Sequence, residues 1–138
     1  MNYLIDTNIV SELRVRARAN PRVVAWTESV IGAPQYLSVI SILELDVGAR
    51  RLLRRDSIAG DILLRWIEEK VLPEFAGRIL PVDTAVARRC AHLHVPVPRP
   101  ERDAMIAATA LAHGMTLVTR NTKDFQNTGV PLINPFDI

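Results

Sequence analysis

The feature that most restricts this chain is a series of short apolar runs, each leading into a segment patterned as a helix. Tyr3-Leu4-Ile5 stops at Asp6, with helix-compatible sequence from Ile9 onward. Tyr36-Leu37-Ser38-Val39 leads into Ser41-Ile42-Leu43-Glu44, which has the form of a capping box with Ile40 and Leu45 as its staple. Arg78 to Val82 reads as a third strand at an edge, because Pro81 cannot donate to a ladder, and Asp83 is placed to cap a helix from Thr84 to Leu93. An Ala-rich helix from Arg102 to His113, closed by Gly114, precedes a fourth strand, Met115 to Val118. Pro131-Leu132-Ile133 can add a fifth.

Two further helices are predicted. One spans Pro21 to Val30, with Pro in its first turn. The other spans Ala59 to Phe75, with Ile62, Leu63, Trp66, Ile67 and Val71 on its apolar stripe. Val95 to Pro100 is too rich in Pro for either element and reads as a stiff loop. Strands that alternate with helices form a mainly parallel sheet covered on both faces, a three-layer α/β/α architecture.

A length of 138 residues suits one domain over 1–138, able to bury roughly two thirds of its unfolded surface. No apolar run approaches the roughly 20 residues that cross a bilayer, and Asp6 interrupts an N-terminus that lacks a basic region. A lone Cys90 excludes a disulfide framework within the chain and fits a reducing cytoplasm. Of seventeen basic residues only two are Lys, and the planar fork of Arg suits phosphate, so a nucleic-acid partner is allowed.

In open α/β sheets, ligands bind beyond the carboxyl ends of the strands. Four acids fall near that edge: Asp6 after strand one, Glu44 after strand two, Asp103 opening the helix before strand four, and Asp124 after strand four. Each has a plainer role as a helix cap, a dipole partner or a turn residue. Two details favour the set. Asp103 shares a helical face with Ile106, Ala107, Ala110 and Leu111, and Asp6 ends what should be the innermost strand, where an unpartnered carboxylate is costly. Carboxylates about 4 Å apart repel by roughly 4 kcal/mol per pair at an effective dielectric near 20, which a divalent cation relieves. All-oxygen ligation suits Mg²⁺ or Mn²⁺ rather than zinc.

Leu4-Ile5-Asp6-Thr7-Asn8-Ile9-Val10-Ser11-Glu12, Ser41-Ile42-Leu43-Glu44-Leu45, Asp103-Ala104-Met105-Ile106-Ala107-Ala108-Thr109-Ala110 and Thr119-Arg120-Asn121-Thr122-Lys123-Asp124-Phe125 resemble the PIN-domain ribonucleases. Ala76-Gly77-Arg78-Ile79-Leu80-Pro81 and Asn134-Pro135-Phe136 look most like the VapC and FitB toxins within them. The resemblance implies a Mg²⁺- or Mn²⁺-dependent endoribonuclease with sheet order 3-2-1-4-5. It also implies an RNA substrate, a homodimer and a small DNA-binding antitoxin as partner. Asp6, Glu44 and Asp103 match the acids best defined in the family. The fourth position falls on Asp124, with Asn121 as a neutral or water-mediated alternative, while Thr7 and Thr119 look like hydroxyls that orient metal-bound water.

A non-catalytic binding module, with acids as caps and Arg-rich faces for nucleic acid or a partner, is the rival reading. A phosphotransfer domain is disfavoured, since Asp6-Thr7-Asn8 lacks a second aspartate and neither G-x-x-x-x-G-K nor G-x-G-x-x-G occurs. His92, His94 and His113 lack the spacing of a helical metal pair, and Cys90 reads as a small core residue. Arg50, Arg51, Arg54 and Arg55 read first as a solvated helix face.

Overall fold

The computed structural model describes residues 1–138. In order it contains β1 (Tyr3–Ile5), α1 (Thr7–Glu12), α2 (Pro21–Ser29), β2 (Gln35–Ser38), α3 (Val39–Arg55) and α4 (Ser57–Trp66). A π-helical turn, Ile67–Val71, joins α4 to the short α5 (Leu72–Glu74). There follow β3 (Ile79–Leu80), α6 (Thr84–Leu93), α7 (Glu101–His113), β4 (Thr116–Val118), a 3-10 turn (Thr122–Phe125) and β5 (Leu132–Ile133).

The strands form one parallel sheet in the order β3-β2-β1-β4-β5, as expected. Because β1 is central, its two neighbours in sequence point to opposite buried layers. Leu4 packs with Leu117, Ile106, Ala107 and Phe125 on one side. Ile5 packs with Val118, Ile9, Leu37 and Val71 on the other. Truncating Leu4, which is fully buried, costs about 2–5 kcal/mol.

Local signals place most boundaries. Pro21 sits in the first turn of α2 behind Asn20, whose side chain accepts from the Arg22 N–H. Asp83 caps α6 by accepting from the Val86 N–H. Gly114 closes α7 at φ 64°, a left-handed conformation open to glycine.

Two expectations are corrected. Helix α3 is capped by Ser38, whose Oγ accepts from the Ile40 N–H, so Ser41 lies inside the helix and its capping box does not form. Ser38-x-x-Ser41 precedes Ser41-x-x-Glu44 by one turn, and the helix takes the earlier hydroxyl. The helix expected over Ala59 to Phe75 instead begins at Ser57, capped by Asp56, and passes through the π turn at Ile67–Val71. Its stripe is also narrower, because Ile62 is 52% exposed while Ile67 and Val71 are buried. Helices α3 and α4 meet so closely that a Cβ on Gly60 would lie 2.3 Å from the Leu53 Cα. Only glycine fits there.

Candidate active site

Parallel pairing of β1 with β4 brings Asp6 beside Thr119, both just beyond their strands, and the Asp6 N–H continues the ladder onto the Val118 carbonyl at 2.9 Å. Asp6 is 5% exposed and fully engaged. Its Oδ1 accepts from the Thr7 N–H at 2.8 Å, and its Oδ2 accepts from the Thr119 hydroxyl at 2.7 Å and from Asn8 Nδ2 at 3.3 Å. Burial pushes its carboxyl up, and the field of Glu44 adds to that, while the Thr119 and Thr7 donors pull it back toward the ionised form.

Asn8 ties the two central strand ends together. Its amide also approaches Thr119 Oγ1 at 3.4 Å, and its Oδ1 accepts from the Arg120 N–H at 3.2 Å. Thr119 Oγ1 in turn accepts from the Asn121 N–H at 3.0 Å. The turn bearing Thr119 to Asn121 is thereby fixed against the carboxylate.

Glu44 comes from the second turn of α3. Thr7 donates from Oγ1 to Glu44 Oε1 at 2.7 Å, and the Ser41 hydroxyl lies 3.0 Å from the same threonine oxygen. One hydroxyl proton serves one acceptor, so Thr7 gives its proton to the carboxylate and leaves its lone pairs to Ser41. Glu44 is therefore no capping residue: it faces across to α1.

Asp103 sits half-buried in the first turn of α7, where no side chain caps the helix. It accepts no hydrogen bond. Burial pushes its carboxyl up to about 6, and the charges of Asp124, Asp6 and Glu44 push in the same direction. The four acids singled out in the sequence thus act on one another, although they come from four separate segments. Asp124 is exposed in its 3-10 turn, and only its backbone is bonded, to the Asn121 carbonyl at 3.0 Å. Asn121 contributes its N–H to Thr119 and no charge.

The donor set is oxygen alone, which suits a hard divalent ion. No three of these side chains converge closely enough to ligate one ion together. They fit an ion held by one or two carboxylates with water completing its shell, the usual manner of Mg²⁺. Beside Thr7 and Glu44 opens a cleft of about 350 Å³ between α1, α3 and α4, with Arg14, Ser11 and Trp66 on its walls.

The remaining candidates fall elsewhere. Cys90 is buried among Val86, Ala104 and Ala108, and burial together with the Glu101 charge pushes its thiol up, away from a nucleophilic thiolate. His94 Nδ1 accepts from the Arg99 N–H at 3.2 Å, a loop contact. Of the Arg residues on α3, Arg50 pairs with Asp46 on an exposed face. Sequence reasoning missed Asn8 and Ser41. The signal for Asn8 was an amide two residues past Asp6 at a helix start, which on its own reads as turn chemistry.

A model of the PIN domain matches residues 3–131. The toxin FitB of Neisseria gonorrhoeae is 39% identical over 138 residues, covering 96% of this chain and 97% of that protein. The VapC ribonuclease Y4jK of Sinorhizobium fredii is 34% identical, covering 97% of each. The crystal structure of FitAcB from Neisseria gonorrhoeae superposes with a TM-score of 0.87 at 38% identity over 99% of both chains. FitAB bound to the IR36 DNA fragment gives 0.85 at the same identity, over 99% of this chain and 96% of that one.

Proposed function

The chain belongs to the PIN-domain family, and from that premise we propose that it is a Mg²⁺- or Mn²⁺-dependent endoribonuclease, the toxin of a toxin–antitoxin pair. The observation that carries the reading is Asp103. A carboxyl raised to about 6 by burial and by three other acids, with no donor to relieve it, is an electrostatic deficit that a cation fills. Relatives named as a toxin and as a VapC ribonuclease supply the reaction class.

In this reading Asp6 and Asp103 would hold the ion, Glu44 would reach it through water, and Asp124 would assist a second ion. A bound ion supplies an acidified water and neutralises charge developing on phosphorus. The chain's own groups do the positioning. Thr119 and Asn8 fix the Asp6 carboxylate, Thr7 orients Glu44, and no side-chain nucleophile takes part. Asp6 does cap α1 by accepting from the Thr7 N–H, but the cap-only reading is weaker because neither Glu44 nor Asp103 caps a helix here.

The cytoplasm, a homodimer and a DNA-binding antitoxin complete the proposal. The FitAB structure bound to DNA supports the last of these. The test is cleavage of RNA by purified protein with Mg²⁺ or Mn²⁺, with EDTA, and with Asp6→Asn. Metal-dependent cleavage lost in the variant supports the proposal; cleavage that persists in EDTA or in the variant removes it. Growth arrest on expression, relieved by the adjacent operon partner, tests the toxin role.

A further inference from the structure

A second and larger cleft of about 700 Å³ runs along α6. Arg88, Arg89 and His92 line it from α6, together with Leu111 of α7 and with Thr128 and Gly129 from the segment before β5. Its charge is unopposed: no acid lines it, and neither arginine takes part in an ion pair or a hydrogen bond within the chain. Thr128 and Gly129 also bring unused donors. Thr128 spends its hydroxyl on the Phe125 carbonyl, but the N–H groups of Thr128 and Gly129 have no acceptor in the chain. Gly129 lies at φ 81°, with nothing within 4 Å of where a Cβ would stand.

Forked guanidinium groups in one cleft with unpaired backbone N–H groups suit phosphate oxygens. The cleft's extent argues for a chain of phosphates, because Ala85 to Leu93 spans about 12 Å of helix. Its tie to the segment that follows Asp124 argues for the strand that the acids cut. Arg99 donates to the Leu93 carbonyl at the end of α6 and to the carbonyls of Gln126 and Asn127, at 3.1, 3.0 and 3.1 Å. This ties the end of α6 to the segment that leads into Thr128 and Gly129, and Thr128 follows Asp124 by four residues in the chain.

We infer that the α6 cleft is an RNA-backbone subsite, binding phosphates of the substrate that flank the scissile bond. The inference rests on the ribonuclease reading above. Binding of a labelled single-stranded RNA is measured by anisotropy across a salt series on Asp103→Asn protein, which separates binding from cleavage. Each phosphate contact on a single strand contributes about 0.7 to the slope of log K against log salt. Adding Arg88→Ala and Arg89→Ala should make the slope shallower by about 1.4, whereas Arg65→Ala, whose partner is Asp61, should leave it unchanged.

An unchanged slope in a folded double variant overturns the subsite. So does loss of inorganic phosphate binding without loss of RNA binding, which would mark a site for free phosphate. Loss of polyglutamate binding alone would mark a protein contact and overturn it as well. Metal-dependent cleavage by the unsubstituted protein is scored separately. Cleavage with an unchanged slope sinks the subsite alone, and absent cleavage sinks the ribonuclease reading itself.

Discussion

The two halves of the acid cluster are built in opposite ways. Around Asp6 and Glu44, on the β1–α1–α3 side, each carboxylate has a hydroxyl donor at 2.7 Å, and Asn8 braces the strand ends behind them. Around Asp103 and Asp124, on the α7 side, no donor reaches either carboxylate, and Asp103 is raised by burial first and then by its neighbours' charge. One half is held by hydrogen bonds before anything binds, and the other is left electrostatically unsatisfied. Under the proposed function that difference would divide the labour: the first half would set geometry, the second would supply the pull for a cation.

If that division holds, neutralising either half should stop the chemistry while the fold survives. Asp6→Asn and Asp103→Asn should each lower Mg²⁺-supported RNA cleavage by about 10²–10³-fold, the scale of losing one electrostatic contact to a transition state. The measurement is initial rate at saturating metal, with circular dichroism as the check on folding. A variant within tenfold of the parent would break the comparison on that side.

Thr119→Val attacks the braced half alone. It leaves Asp6 Oδ2 and the Asn121 N–H short of a partner in a buried site, which costs about 1–3 kcal/mol of stability. Chemical denaturation reads the loss directly. The same substitution should weaken Mn²⁺ binding in calorimetry, since Asp6 is then free to turn. Asn8→Ala is milder, removing longer bonds of 3.3 and 3.2 Å, and should cost about 1 kcal/mol. It sharpens the comparison if Mn²⁺ affinity falls more than stability does, and a purely structural role would move only the latter.

What the sequence made legible follows the same divide. Asp6 was readable because it ends an apolar run, and Asp103 because its spacing sets it over Ile106 and Ala110; both signals are local periodicities. Glu44 was found for an incomplete reason. Its place after β2 was right, but the capping box assigned to it belongs one turn earlier at Ser38, so its true partner, Thr7, was invisible. Asn8 was missed because its work is done on Thr119 and Arg120, more than a hundred residues away, and no period in a single sequence reports such a contact. The π turn at Ile67–Val71 escaped for a related reason: its pattern keeps helical spacing, and only packing shows where the register slips.

The smallest expected effect is also the most direct test of the unsatisfied half. In the fold the Asp103 carboxyl is raised to about 6, against an ordinary carboxylate value of 3.8. Between roughly pH 4 and pH 6 the folded protein therefore holds a proton that the unfolded chain has lost, and stability falls as pH rises through that window. Above pH 6 the penalty is fully present. A displacement of that size corresponds to about 3 kcal/mol in an enclosed site, and to about 1 kcal/mol once solvent screening at this half-buried position is included. Metal-free Asp103→Asn should thus be more stable than the parent at pH 7, melting about 3 °C higher. The advantage should vanish near pH 4, and Mg²⁺ should narrow it at pH 7 by stabilising only the parent. Asparagine that destabilises at pH 7 would mean Asp103 is already satisfied, and the α7 side would no longer differ from the braced one.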